Sequence, residues 1–366
     1  MGHIARGSVT GMGKQTSSGG VWAFIGRKAE NLFTGYFSLV MATGALSISS
    51  HLLGFPLISR SLLYVNMTAY LTLWFFTLLR LFRYFPLLKA DLTSHTKGPG
   101  FFTLIAGTCV FGSQLIIVGG RYEAAFVLWP LGIALWLIIM YTFFTAVTVR
   151  RDKPTLAEGI NGAWLIAAVS TQSISILGTL LSSQTTQGRE IILFFTLCMY
   201  FLGCMLYLNI IALIFYRFTF LKLQYAALTP PYWINMGAVA ITTLAGSTLI
   251  LNTQHFSLLE EITPFLKGFT LFFWITGTWW IPLLFILTIW RHLRHRYPIR
   301  YDPQYWGMAF PLAMYTTSTY QLSQALKLPF LTVIPRFFLW IALAAWATGF
   351  VLLLHHVATG WRKREI

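Results

Sequence analysis

The chain has 366 residues, of which 56% are apolar, 17% aromatic and only 10% charged, yet its formal net charge is +16. With a mean hydropathy of +0.67, apolar runs of about 20 residues mark membrane-crossing helices and exclude a pair of soluble domains. The positive charge does not indicate nucleic acid, because the basic residues cluster in short loops between apolar runs, as the positive-inside rule requires.

The first 20 residues are rich in Gly and Ser and are expected to be disordered. Residues 21–33 place Val21, Trp22, Phe24, Ile25, Leu32 and Phe33 among Arg27, Lys28 and Glu30. They read either as an amphipathic helix at the headgroups or as an extension of the first span. No apolar segment with a cleavage site precedes this stretch, and the first long apolar run is long enough to be a true span.

Ten spans follow, at 33–53, 61–79, 101–120, 124–149, 160–181, 191–216, 231–251, 269–290, 303–326 and 337–357. The expected organisation is an N-terminal cytoplasmic segment (1–32), one transmembrane domain (33–357) and a short cytoplasmic tail (358–366). Of the 26 Lys and Arg, 20 fall at the termini or in the loops after even spans. That asymmetry puts both termini in the cytoplasm, and a bacterial inner (plasma) membrane is the expected location. Cys109, Cys198 and Cys204 lie within apolar spans and read as small buried hydrophobes, without disulfide or metal spacing.

Odd and even spans differ. The odd spans hold 30 Ser, Thr, Asn and Gln against 15 in the even ones, and 14 aromatics against 31. Intramembrane polar groups favour the interior or a water-filled cavity. The simplest geometry is an inner ring of five odd helices inside five even ones, each odd–even pair forming a hairpin. The alternative is that small and hydroxylated residues only mediate close helix packing.

Candidate path-lining stripes are Thr43, Gly44 and Ser47 in span 1; Thr171, Ser175 and Gly178 in span 5; Asn235, Thr242 and Gly246 in span 7; and Gly307, Ala313 and Thr317 in span 9. Span 9 reads YWGMAFPLAMYTTSTYQLSQAL, with Phe310 and Pro311 at its centre. Pro311 removes a backbone donor and is expected to kink the helix. Phe310 reads either as a gate or as a core aromatic. Breaks at Gly44, Gly178, Gly246 and Pro311 are expected to turn amide dipoles toward the path. A basic mouth of Arg150, Arg151, Lys153, Arg291, Arg294, Arg296 and Arg300 would concentrate anions. No Lys, Arg, Asp or Glu lies within the apolar cores of the odd spans. No phosphate-binding loop, nucleophile elbow, zinc-binding helix motif or paired intramembrane carboxylates are present. Neither an enzyme nor a cofactor or metal is expected.

GYFSLVMATGALSISSHLLG in span 1, PPYWINMGAVAITTLAGSTL in span 7 and YWGMAFPLAMYTTSTYQLS in span 9 resemble the tellurite-resistance and dicarboxylate transporter family. That family includes the fungal malate permease, fungal sulfite exporters and the plant slow anion channel. The resemblance covers residues 33–357. It implies an all-α membrane protein of ten helices, built as five hairpins in quasi-five-fold order around a central pore. It also implies a homotrimer, small inorganic or organic anions as cargo, and a pore-plugging phenylalanine at Phe310. Passive anion channel, proton-coupled carrier of dicarboxylate, sulfite or tellurite-like oxyanions, and non-conducting scaffold are the readings it leaves open. Unlike other members, which kink several inner helices at proline, this chain has only Pro311 deep in an odd span.

Overall fold

The computed structural model describes residues 18–298 and 301–362. Residues 1–17, on which most of the expected disordered stretch falls, lie outside the described residues, as do Arg300 and the last four residues of the tail. Among the described residues the chain is helical and contains no strand.

A short helix, Ser18–Glu30, comes first and packs on the helix Pro56–Arg83. It is separate from the first span. The chain turns between Asn31 and Phe37, so that span begins at Ser38, later than the apolar run alone indicates. Ten longer helices follow: α1 Ser38–Leu52, α2 Pro56–Arg83, α3 Phe102–Ile117, α4 Tyr122–Val149, α5 Ile166–Ser182, α6 Arg189–Phe220, α7 Ile234–Ile250, α8 Thr263–Ile289, α9 Trp306–Ala325 and α10 Val333–Arg362. Eight helical segments are long and apolar enough to cross a membrane. The two that are not are α1, with 15 residues, and α9, diluted by its threonines, serines and glutamines.

Each odd helix packs against the even helix that follows it, and the odd helices contact one another in a closed cycle, α1–α3–α5–α7–α9–α1. Four of the five odd helices turn into their partners through a left-handed residue: Gly54, Gly120, Gly188 and Lys327. The conformation suits glycine and strains lysine. The odd helices form the interior. The segment Pro230–Ile250 is buried throughout its most apolar window, whereas only 17% of the corresponding window of Pro329–Thr359 is buried. The even helices turn Phe75, Tyr141, Trp279 and Trp340 outward, and Cys198, expected to be buried, is also exposed on α6.

The expected helix breaks are not observed. Helices α1, α5, α7 and α9 run unbroken through Gly44, Gly178, Gly246 and Pro311. The glycines instead permit close approach. A Cβ on Gly44 would lie 2.8 Å from Val110 Cγ1, and one on Gly178 would lie 2.6 Å from Thr196 and Trp129. Gly246 is filled likewise by Thr270 and Tyr200.

Candidate functional site

The ring of odd helices encloses a small cavity of about 20 Å3, room for about one water molecule. Each of the five helices contributes two residues one turn apart: Ala45 and Ile48 from α1, Val110 and Ser113 from α3, Ser173 and Ile176 from α5, Ile241 and Leu244 from α7, Met314 and Thr317 from α9. All ten are buried and none is ionisable. Their three hydroxyls are turned away: Ser113 donates to the Cys109 carbonyl, Ser173 to the Val169 carbonyl, and Thr317 to the carbonyls of Ala45 and Ala313. What faces the axis is mainly aliphatic.

A second cavity of about 680 Å3 opens where the odd helices begin. Thr34, Gly100, Asn161, Pro231 and Gln304 line it, one residue from the start of each odd helix. Five helix N-termini thus turn the positive ends of their dipoles toward one vestibule; Asn161 caps the start before α5, and the Asp302 carboxylate caps the start before α9 by accepting from the Gln304 amide. Arg80, Lys97 and Arg217 line it as well, together with Glu30, Asp91 and Glu158. Arg80 and Lys97 both pair with Asp91, at 2.6 and 2.9 Å. Desolvation raises the pKa of the Asp91 carboxyl, but the hydrogen bonds and charges of Lys97 and Arg80 outweigh it and leave the group below its ordinary range.

Phe310 lies between the two cavities along α9, after Gln304 of the vestibule and one turn before Met314 of the inner cavity. Its spacing from Met314 and Thr317 puts all three on one helix face, and the ring is 1% exposed. Pro311, beside it, packs against Gly237 of α7, where a Cβ would lie 2.7 Å from its ring.

Most of the other residues singled out in the sequence face the outer helices. Trp346 of α10 donates its indole N–H to Thr43 at 2.9 Å, and Trp136 of α4 donates to Thr171 at 2.8 Å. Ser47 donates to the Ser59 carbonyl of α2, and Ser175 to the Thr196 carbonyl of α6. Tyr207 of α6 donates to the backbone of Asn235, whose amide side chain is buried without a partner. Thr242 bonds back to Ala238, Gly307 rests against Pro231, and Ala313 accepts from Thr317. Gly44, Gly178 and Gly246 are packing positions, as above. Of the path-lining candidates only Thr317 borders the inner cavity.

Four of the hydroxyls of the odd spans therefore have a partner on an outer helix. Tyr70, Trp136, Trp274 and Trp346, each on an even helix, donate to Thr108, Thr171, Thr319 and Thr43 of the next odd helix. In these four pairs the even helix brings the aromatic donor and the odd helix the acceptor, whereas Trp233, at the start of α7, donates to Thr288 of α8.

A family model described as voltage-dependent anion channel matches residues 31–354. The chain belongs to the voltage-dependent anion channel family. It is an integral membrane protein of a family of anion channels and transporters, not of enzymes. Among its relatives is an uncharacterized membrane protein of Mycobacterium tuberculosis, 40% identical over 153 residues, which span 42% of this chain and 77% of the relative. An uncharacterized transporter of Methanocaldococcus jannaschii is 26% identical over 90% of this chain and 95% of its own. A sulfite efflux pump of Trichophyton rubrum is 21% identical over 90% and 92%.

In this family member the basic residues at the vestibule are not those first expected at a mouth. Arg150, Arg151 and Lys153 are exposed, and Arg291 stacks on Tyr297 at 4.1 Å. Arg80 and Arg217 were missed, although each stands inside the last turn of an outer helix rather than in the following loop. That position was the available signal.

Proposed function

We propose that the protein passes small anions along the axis of its inner ring, with Phe310 as the closure between vestibule and inner cavity. What supports this reading is a pair of cavities bordered by the same five helical segments, with Phe310 between them along α9 on the helical face of Met314 and Thr317. In this reading all ten helices cross the bilayer as five hairpins in quasi-five-fold order. The basic face, with both termini, lies in the cytoplasm, as the distribution of Lys and Arg supports. The assembly is a trimer in a bacterial inner membrane, each protomer with its own path.

The path is lined by the ten residues of the inner cavity rather than by the polar stripes. An aliphatic constriction with room for one water stops ions by dewetting, so the form described here is closed. Anion preference follows from five helix N-termini at the entrance and from the absence of any carboxylate around the inner cavity. Coupled export of an oxyanion is the second reading, favoured by the likeness to the fungal sulfite efflux pump. It finds no titratable group at the inner cavity to carry a proton, and passive flux is therefore preferred.

Reversal potentials across a planar bilayer, measured under a potassium chloride gradient, test this. The expected potential lies near the chloride equilibrium value. A potential near that of potassium would contradict the reading.

A further inference from the structure

Arg217 closes the last turn of α6 and is only 9% exposed. A buried guanidinium is costly unless its charge is compensated. The other two cations of the vestibule share Asp91. Arg217 makes no ion pair among the described residues. Its Nη1 donates to the Ile160 carbonyl at 2.6 Å and to the Tyr232 hydroxyl. Ile160 precedes α5 and Tyr232 precedes α7, so two inner-helix entrances hold one edge of the group. Its Nε and Nη2 bond to no protein atom among the described residues, and the residue lines the vestibule. These two donors form the side-on fork that matches two oxygens of a planar or tetrahedral oxyanion. Glu30 and Glu158 also line the cavity but pair with none of its cations.

We propose that Arg217 is an oxyanion-binding site in the vestibule, where an anion with two adjacent oxygens, such as nitrate, sulfite or a carboxylate, docks before reaching Phe310. The inference rests on the transport reading for its role, but the binding itself does not. The helix N-termini favour any anion. The fork adds a preference for oxyanions over spherical halide, because only the former engages both donors at once. Tyr232 and Ile160 fix the plane of the group, which lowers the ordering cost on binding.

The test uses full-length protein in liposomes, with nitrate and chloride fluxes followed against concentration on the vestibule side. Arg217→Gln should raise the nitrate half-saturation concentration on the order of tenfold, the loss expected for charge-assisted hydrogen bonds, and shift chloride less. Arg217→Lys keeps the charge but not the fork, and should stay close to Arg217→Gln for nitrate. Arg151→Gln, an exposed cation of the same face, should change neither. Equal shifts for both anions, or nitrate fully restored by lysine, would overturn the site in favour of a diffuse charge effect. Binding is read separately from flux: nitrate should raise the melting temperature of purified wild type and of Arg151→Gln, but not of Arg217→Gln. Wild type that passes neither anion yet shows this Arg217-dependent shift would overturn transport and leave the site standing. Conducting wild type with no such shift and an unchanged Arg217→Gln half-saturation would overturn the site and leave transport standing.

Discussion

Trp136 and Thr171 show how a polar residue in an apolar span acquires its role. The indole N–H of Trp136 reaches the Thr171 hydroxyl at 2.8 Å, while Thr171 itself donates to the Ala167 carbonyl. The hydroxyl thus accepts from the outer helix and donates within its own. Trp136→Phe keeps most of the ring but loses the donor, and should cost about 1 kcal/mol. A lowered melting temperature with unaltered anion flux is expected, and Thr171→Val added to it should cost less than its separate effect. The enrichment of hydroxyls was legible in the sequence, but their direction was not. A stripe at helical spacing reports a shared face; whether it meets the axis or a neighbouring helix depends on the rotation of each helix. Thr317 borders the inner cavity, and Thr171, with the same chemistry, does not.

Helix α2 illustrates what spacing and charge specify about an element. Its apolar run was clear, but the helix extends past that run to Arg83. Arg80 in its last turn bonds the Leu32 carbonyl and pairs with Asp91 of the following segment. The helix end is therefore set by a tertiary contact that hydropathy does not report. Asp91 has a depressed native pKa, so its contribution to stability is complete above the ordinary value of 3.8. It is lost as pH falls below that value and through the lower native one. Thermal unfolding followed from pH 6 downward should show a drop in wild type that Asp91→Asn lacks, with the variant less stable at neutral pH. Parallel curves would remove this role. The start of α1 has a similar origin. The chain turns before Ser38, and Thr34 bonds the Lys97 carbonyl across to the next hairpin, a long-range contact absent from local pattern.

At the scale of the molecule, alternation was the strongest sequence signal. Polar odd spans and aromatic even spans correspond to inner and outer helices, because lipid accepts aromatic rings and rejects uncompensated hydroxyls. The even helices expose Trp279, Phe285, Phe337 and Trp340, surface for lipid or for other protomers. Three copies are expected by intact mass in mild detergent, and a monomer that retains anion flux would contradict the trimer.

The central claim is that Phe310 closes an anion path. Its spacing from Met314 and Thr317 puts it on the helix face that borders the inner cavity, next to a proline that cannot donate to the helix ladder, and that cavity holds about one water. As an ordinary core aromatic it would cost about 3–5 kcal/mol on truncation and open nothing. Conductance of Phe310→Ala and wild type in planar bilayers, compared at matched protein density, separates the two. The account predicts a clear rise in anion conductance in the variant with its fold retained. Conductance equal to wild type, with a large fall in melting temperature, would contradict it.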